Sequence, residues 1–227
     1  MKITAIRSTG LFGETPKGGW SDEIRPDDSV HALIAVHTDA GITGLGSVFT
    51  DARLVRAAIE VLERHYLGEN ALEPMRLSEK LSQTTFWMGM GGTLTHTISG
   101  IDIALWDILG KVTGQPVGRL LGGRYRDKVR PYASILMEMP DLMREQAAAF
   151  RAKGFRALKI GWWPFGRRED AALDEAIVRA AREGAGADCL LMVDAGASAV
   201  GFARQAIDLR RDPPLLEERS EWNLDFL

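Results

Sequence analysis

The chain has 227 residues, of which 45% are hydrophobic and 26% are charged, and its formal net charge is −3. This composition is ordinary for a globular protein of one large or two small domains, and the charge argues against nucleic acid or a membrane surface as a partner. The single cysteine, Cys189, excludes an internal disulfide framework; within an apolar strand, we expect it to be buried and unreactive. Because no apolar run has the length of a signal-peptide core or a membrane span, we expect a soluble cytoplasmic protein.

The first part of the sequence predicts a small antiparallel sheet. Residues 2–7 alternate between polar and apolar side chains, which is typical of a strand. Residues 30–38 and 42–48 flank an Asp-Ala-Gly turn and predict a β-hairpin. Between the first strand and the hairpin, glycines and prolines recur through residues 10–29, so we expect a long loop there.

Helical periodicity follows the hairpin. We expect a first helix capped by Asp51 and a second helix over 74–86 that begins at its proline. A third helix is predicted over 93–113, with an apolar stripe so broad that most of the helix should be buried. A Gly-Gln-Pro sequence then ends this helix, and residues 120–123 close an α+β domain.

The second part of the sequence predicts alternating strands and helices, which is typical of a parallel α/β sheet or barrel. Since a helix crosses over between successive strands, the strands must be parallel, and chemistry in such units sits at their carboxyl ends. Lys159 and Asp194 occupy two of those ends. The predicted strands are 129–134, 154–161 and 189–194, and the predicted helices are 140–153, 168–183 and 199–211.

Four stretches of this sequence together resemble the enolase superfamily, in its mandelate racemase and muconate lactonizing branch. They are the hairpin 36–46, the helix 99–111 with the glycine-rich residues after it, the strand end 158–161, and the strand end 193–194. The similarity extends from residue 1 to about residue 196. The resemblance implies an α+β capping domain at residues 1–125, followed at residues 126–227 by part of a TIM-like (β/α) barrel of three to four strands.

The same resemblance implies a chemistry. Family members hold Mg²⁺ with three carboxylates and stabilise the enediolate that forms when a base removes the proton α to a substrate carboxylate. A metal is needed because such a proton is very weakly acidic. We therefore expect a lyase or isomerase acting on a small carboxylate substrate, with acid-sugar dehydration as the leading reaction, and a homo-oligomer. Racemases, epimerases and cycloisomerases of the same superfamily remain alternatives.

Three residues match the functional positions of the family. Lys159 corresponds to the proton-abstracting base, the second lysine of a Lys-x-Lys motif whose first lysine is replaced by Ala157. Asp194 corresponds to the first metal ligand and Glu217 to the second, although Arg219 stands where the family has a proline. Without the resemblance, Lys159 and Glu217 are typical of solvated surface charges, and Asp194 could simply cap the segment that follows it.

The resemblance also sets two expectations about completeness. Residues 197–227 fit the family poorly, and the chain as given ends about halfway round a barrel, so we expect it to be incomplete for catalysis by itself. A non-catalytic remnant, or a binding module completed by a separate chain, are the competing hypotheses. The loop over residues 10–29 corresponds to a family loop that closes over the barrel mouth, and a mobile surface loop is the alternative.

Overall fold

A computed structural model describes residues 1–12, 31–89, 91–162, 164–165 and 170–194. The described residues divide into two compact units, one formed by residues 1–12 and 31–127 and the other starting at Lys128. Each unit has its own hydrophobic core. The predicted loop beyond residue 12, the predicted helix over 199–211 and Glu217 lie outside the described residues.

The first unit contains a three-stranded antiparallel sheet in the order β1-β2-β3. Alternation along these strands puts apolar side chains on one face, where Ile6, Ile34 and Val36 are almost fully buried. The first strand was predicted to stop before the glycine at residue 10, but it continues because that glycine pairs with Ala32. The strands are β1 (Ile3–Leu11), β2 (His31–Thr38) and β3 (Thr43–Val48).

Helices cover the buried face of this sheet. Asp51 caps the first of them, as predicted, by accepting a hydrogen bond of 2.8 Å from the backbone N–H of Arg53. The long third helix is buried on one face only: Ile103 remains 51% exposed, so the expectation that most of this helix is buried was wrong. The helices are α1 (Ala52–Leu62), α2 (Pro74–Thr85), α3 (Gly92–Thr113) and the short α4 (Val117–Leu120).

β3 and α3 pack closely because β3 has glycines, which carry no side chain, where it faces the helix. A β-carbon at Gly44 would lie 2.0 Å from the backbone carbonyl oxygen of Ala104, and one at Gly46 would lie 2.0 Å from that of Gly100. The same helix covers the free edge of β3, where the Leu45 N–H donates to Asp107 over 2.8 Å. Such coverage matters because open strand edges favour aggregation.

The second unit contains a parallel sheet in the order β4-β5-β6, connected by two helices that pack against each other. The fold class predicted from the sequence, an α+β domain followed by a parallel α/β layer, is confirmed. The first strand of this layer begins later than predicted, since Val129 is 77% exposed and lies outside it. The elements are β4 (Ala133–Leu136), α5 (Pro140–Ala152), β5 (Ala157–Gly161), α6 (Ala171–Ala185) and β6 (Leu190–Asp194).

The two faces of this parallel sheet differ. Leu158, Ile160 and Leu191 are fully buried in one apolar cluster with residues of α5 and α6, such as Met143 and Ile177. Because side chains alternate along a strand, Lys159 lies on the opposite face. Cys189 is buried in the same cluster, as predicted. Among the described residues, no helix combines the length and the hydropathy needed to cross a bilayer.

Candidate functional site

The carboxyl ends of β5 and β6 form the candidate site. The parallel register pairs Gly161 with Asp194 and Lys159 with Met192. Both strands therefore finish at the same level of the sheet, and Asp194 lies two pairs beyond Lys159 towards the carboxyl edge. This edge is where parallel α/β folds carry their binding and catalytic groups.

The structure brings Lys159 and Asp194 together. The Lys159 Nζ donates a hydrogen bond of 2.8 Å to the Asp194 Oδ2, and the pair is also a salt bridge. The side chain of Lys159 is 20% exposed and that of Asp194 is 35% exposed, so solvent reaches both groups. Partial burial of this kind keeps an ion pair stronger than on an open surface while leaving it accessible to small molecules.

This pairing determines the protonation of Lys159. Its hydrogen bond to Asp194 raises the pKa of Lys159 above the ordinary value, and this effect outweighs partial burial, which acts in the opposite direction. The ring of Tyr132 adds a cation–π contact, with its centroid 5.7 Å from the Lys159 Nζ. Lys159 is therefore a protonated hydrogen-bond donor at neutral pH in this structure.

Ala157 lies on the same strand and, by alternation, on the same face as Lys159. It is 4% exposed, and the resemblance described above predicts that it occupies the position of the first lysine in the Lys-x-Lys motif. A second ammonium group at this position would lower the pKa of Lys159 by charge repulsion. With alanine there, the electrostatic neighbour of Lys159 with the largest effect is the negatively charged Asp194.

Two features of this edge were not found from the sequence. A β-carbon at Gly161 would lie 2.6 Å from the carbonyl oxygen of Asp194, so the two strands approach closely here. The next residue, Trp162, has a φ of 77°, which is rare for a bulky side chain. A glycine that ends an apolar strand is a sequence signal for close backbone approach, but the partner depends on register.

The donor chemistry at this edge suits a Mg²⁺ ion in part. Asp194 offers a carboxylate, the ligand type that Mg²⁺ prefers, at a position that solvent reaches. Among the described residues there is no group of three His, Cys, Asp or Glu side chains that could hold a metal ion. Asp194 therefore fits as one ligand, and Glu217, the second ligand expected from the sequence, lies outside the described residues.

Two family models match this chain. Residues 27–122 match the mandelate racemase / muconate lactonizing enzyme N-terminal domain, and residues 142–218 match the enolase C-terminal domain-like family. The chain belongs to the enolase superfamily, in its mandelate racemase and muconate lactonizing branch. Members of this superfamily generally use Mg²⁺, which agrees with the carboxylate at the end of β6.

Similar proteins of the superfamily act on sugar acids and their lactones, as their names state. The chain is 34% identical over 202 residues to a D-galactarolactone cycloisomerase of Agrobacterium fabrum, covering 86% of this chain and 52% of that protein. It is 36% identical over 153 residues to a D-galactonate dehydratase of Xanthomonas euvesicatoria, covering 66% and 40%.

A solved structure of another cycloisomerase is also similar to this chain. The 3,6-anhydro-D-galactonate cycloisomerase of Zobellia galactanivorans superimposes with a TM-score of 0.71 at 27% identity, covering 92% of this chain and 56% of that one. The chain thus spans about half the length of the curated relatives it matches.

Proposed function

We propose that this chain forms part of a Mg²⁺-dependent enzyme that removes the proton α to the carboxylate of an acid sugar, with dehydration as the reaction. The observation that carries the proposal is the Lys159–Asp194 pair at the carboxyl edge of a parallel sheet. The names of the dehydratase and cycloisomerase relatives support the substrate class.

In this proposal Lys159 is the base. Its neutral Nζ takes the α-proton, and the electron pair of the broken C–H bond forms a carbon–carbon double bond. The hydroxyl on the next carbon leaves with the electron pair of its C–O bond and takes up a proton to become water. Lys159 can act in this way only when its amine is neutral. The hydrogen bond to Asp194 favours the protonated amine. In this proposal, Lys159 must therefore lose this hydrogen bond before it can act as the base.

Asp194 is the proposed metal ligand, with Glu217 as the second. Mg²⁺, when bound, stabilises the negative charge that develops on the substrate carboxylate as the proton leaves. The carboxylate that would hold the ion is the same one that accepts from Lys159, so one side chain links the proposed metal site with the proposed base. The partial exposure of Asp194 is compatible with such an exchange of partners.

A cycloisomerase is the second candidate, favoured by the cycloisomerase names among the relatives and the solved structures. Both reactions begin with removal of a proton α to a carbonyl, so they share Lys159 and differ in what leaves or closes afterwards. The products separate them: dehydration of galactonate yields a 2-keto-3-deoxy acid, whereas cycloisomerisation of a lactone yields a product of unchanged mass.

Proton abstraction is tested by deuterium exchange. Although we expect the chain to be incomplete for the whole reaction, this first step needs only the base and the metal ion. The full chain, incubated with galactonate and Mg²⁺ in D₂O, should therefore incorporate deuterium at the α-carbon, observed as loss of the α-proton signal by NMR. Lys159→Ala should lower this rate by about 10²-fold or more, because no other group replaces a positioned base. Asp194→Asn should abolish the increase in exchange rate that Mg²⁺ causes, since an amide lacks the negative charge that binds the ion.

Lys153→Ala is the matched control, because this lysine lies at the end of α5 with its Nζ over the Phe150 ring, away from the strand ends. Exchange that survives Lys159→Ala contradicts the base assignment. A wild-type chain that neither exchanges deuterium nor binds Mg²⁺ supports the non-catalytic remnant instead. Homo-oligomerisation and a cytoplasmic location stay predictions; light scattering on the purified chain tests the first.

A further inference from the structure

We propose that Gly161 is a positioning residue whose missing side chain determines where the Asp194 carboxylate lies, and with it the Asp194–Lys159 ion pair. The inference rests on the proposed function only where it treats Asp194 as a metal ligand. The geometry of the ion pair stands independently of that role.

The first argument is the space between β5 and β6. A β-carbon at residue 161 would lie 2.6 Å from the Asp194 carbonyl oxygen and 2.9 Å from the Asp194 Cβ, and real β-carbons essentially never come within 3.0 Å of another atom. Both atoms belong to the backbone or to the root of the side chain. Neither can rotate away, so any added group at residue 161 must displace Asp194 itself.

The second argument is that the end of β5 is held in place on the side away from β6. The Gly161 carbonyl oxygen accepts a hydrogen bond of 2.8 Å from the Met137 N–H, which ties the end of β5 to the chain leaving β4. Directly after Gly161, the backbone of Trp162 is held at a φ of 77°. With β5 fixed on that side, the displacement falls on the end of β6.

The third argument concerns the path of the Lys159 side chain. Lys159 and Gly161 are two residues apart on one strand, so their side-chain positions share a face of the sheet. The Lys159 Nζ reaches an oxygen of the residue that pairs with Gly161. A methyl group at residue 161 would therefore lie next to the Lys159 side chain as well as against Asp194.

The backbone conformation of residue 161 does not explain why a glycine is needed there. Gly161 is absent from the glycines with a positive φ, so other residues could adopt its backbone angles without strain. What the position requires is space next to Asp194. This separates Gly161 from turn glycines such as Gly154, whose φ is 96°.

The test uses Gly161→Ala in the full chain and follows labelling of the Lys159 amine by acetic anhydride with mass spectrometry. Loss of the charged hydrogen bond to Asp194 should raise the labelling rate about fivefold. Asp194→Asn is the positive control, because it weakens the same hydrogen bond directly. In parallel, Mn²⁺ binding followed by electron paramagnetic resonance should weaken about 10- to 100-fold, the usual effect of displacing a supporting residue of a metal ligand.

Gly184→Ala is the matched control for general disruption. A β-carbon there would lie 2.2 Å from the Arg144 carbonyl oxygen, an even closer clash than that at Gly161, in the helix layer of the same unit. This variant should leave Lys159 labelling and Mn²⁺ affinity at the wild-type level when both are measured on the folded protein. Equal effects of the two alanine variants would overturn the positioning role, as would wild-type labelling in Gly161→Ala.

Two further results keep the proposals separate. If the wild-type chain binds no Mn²⁺, the proposed function fails, while the labelling comparison still decides the role of Gly161. If Gly161→Ala does not fold, the double variant with Asp194→Gly replaces labelling. Because this change removes the Asp194 Cβ, one of the two atoms in the clash, the double variant should recover folded signal by circular dichroism, and a double variant as unfolded as Gly161→Ala contradicts the inference.

Discussion

Gly46 shows how a single missing side chain holds two elements together. Its backbone packs directly on α3, and a β-carbon there would lie 2.0 Å from the Gly100 carbonyl oxygen. We expect Gly46→Ala to destabilise the protein by about 2 kcal/mol, because neither backbone can move without disturbing the surrounding core. Urea unfolding followed by circular dichroism measures this change.

The control for this prediction is Gly118→Ala. Gly118 lies in α4, where a β-carbon would meet no atom within 4 Å, and its φ is outside the left-handed region. Alanine there should leave stability unchanged or raise it by up to about 1 kcal/mol, through helix propensity. Similar losses at both positions would show that glycine replacement as such, and not the contact with α3, causes the effect.

At the same scale, the sequence placed Lys159 and Asp194 at strand ends but did not reveal their contact. The pattern of a βαβ unit specifies which residues end the strands. Whether two such residues meet depends on register, and here the register offsets them by two pairs while the long lysine side chain spans the offset. The raised pKa of Lys159 follows from this contact, so it too required the structure.

At the scale of elements, a charge network fixes the start of α2. Glu69 accepts hydrogen bonds of 2.6 Å from both Lys80 and Arg76, and these bonds, that from Lys80 foremost, lower the pKa of Glu69 to about 2. A carboxyl group with a lowered folded-state pKa stabilises the fold above its unfolded-state pKa near 4.5, and this contribution is lost as the pH falls towards 2.

We therefore expect Glu69→Gln to lower the free energy of unfolding by about 1 kcal/mol at pH 6, after allowance for screening by solvent. The difference from the wild type should shrink as the pH falls from about 4.5 towards 2, because the wild-type carboxyl then also becomes neutral. Urea titrations at pH 6, 4 and 3 measure this dependence.

Glu60→Gln is the matched variant for the pH experiment. Glu60 is exposed on α1, and no hydrogen bond or salt bridge to its carboxylate is found among the described residues. Its replacement should change stability little at any of the three pH values. A Glu69→Gln effect that stays constant from pH 6 to pH 3 contradicts the role assigned to the Glu69 carboxylate.

Element identities were predictable from the sequence, whereas some of their ends and environments were not. Periodicity identified all three long helices of the first unit and the alternating pattern of the second. It failed at β1, where pairing with β2 carries the strand through Gly10. It also overestimated the burial of α3, because an apolar side chain such as Ile103 does not reveal whether a partner covers it.

At the scale of the whole molecule, the segment joining the two units is an exposed chain. Residues 124–130 are all exposed and belong to no helix or strand, and they include Arg124, Arg126, Lys128 and Arg130. We expect the first tryptic cut among the described residues to fall in this segment, since exposed irregular backbone is the preferred site of proteolysis.

Mass spectrometry of a short digest tests this expectation. A stable fragment ending between residues 124 and 130 is the expected product, and it would show that the first unit persists as a body of its own. An earlier cut within β5 or α6, which are largely buried, contradicts the division of the described residues into two compact units. Resistance throughout the second unit would favour a barrel completed by a second copy or a separate chain.

The sequence by itself determined the fold class, the order of the elements and the resemblance to the enolase superfamily, because all of these follow from local periodicity and short motifs. Tertiary structure alone decided that Lys159 and Asp194 form an ion pair 2.8 Å long and that Gly161 leaves the space beside it. The physical reason is that charge pairing and close packing act between strands far apart along the chain, and their alignment is fixed only when the sheet forms.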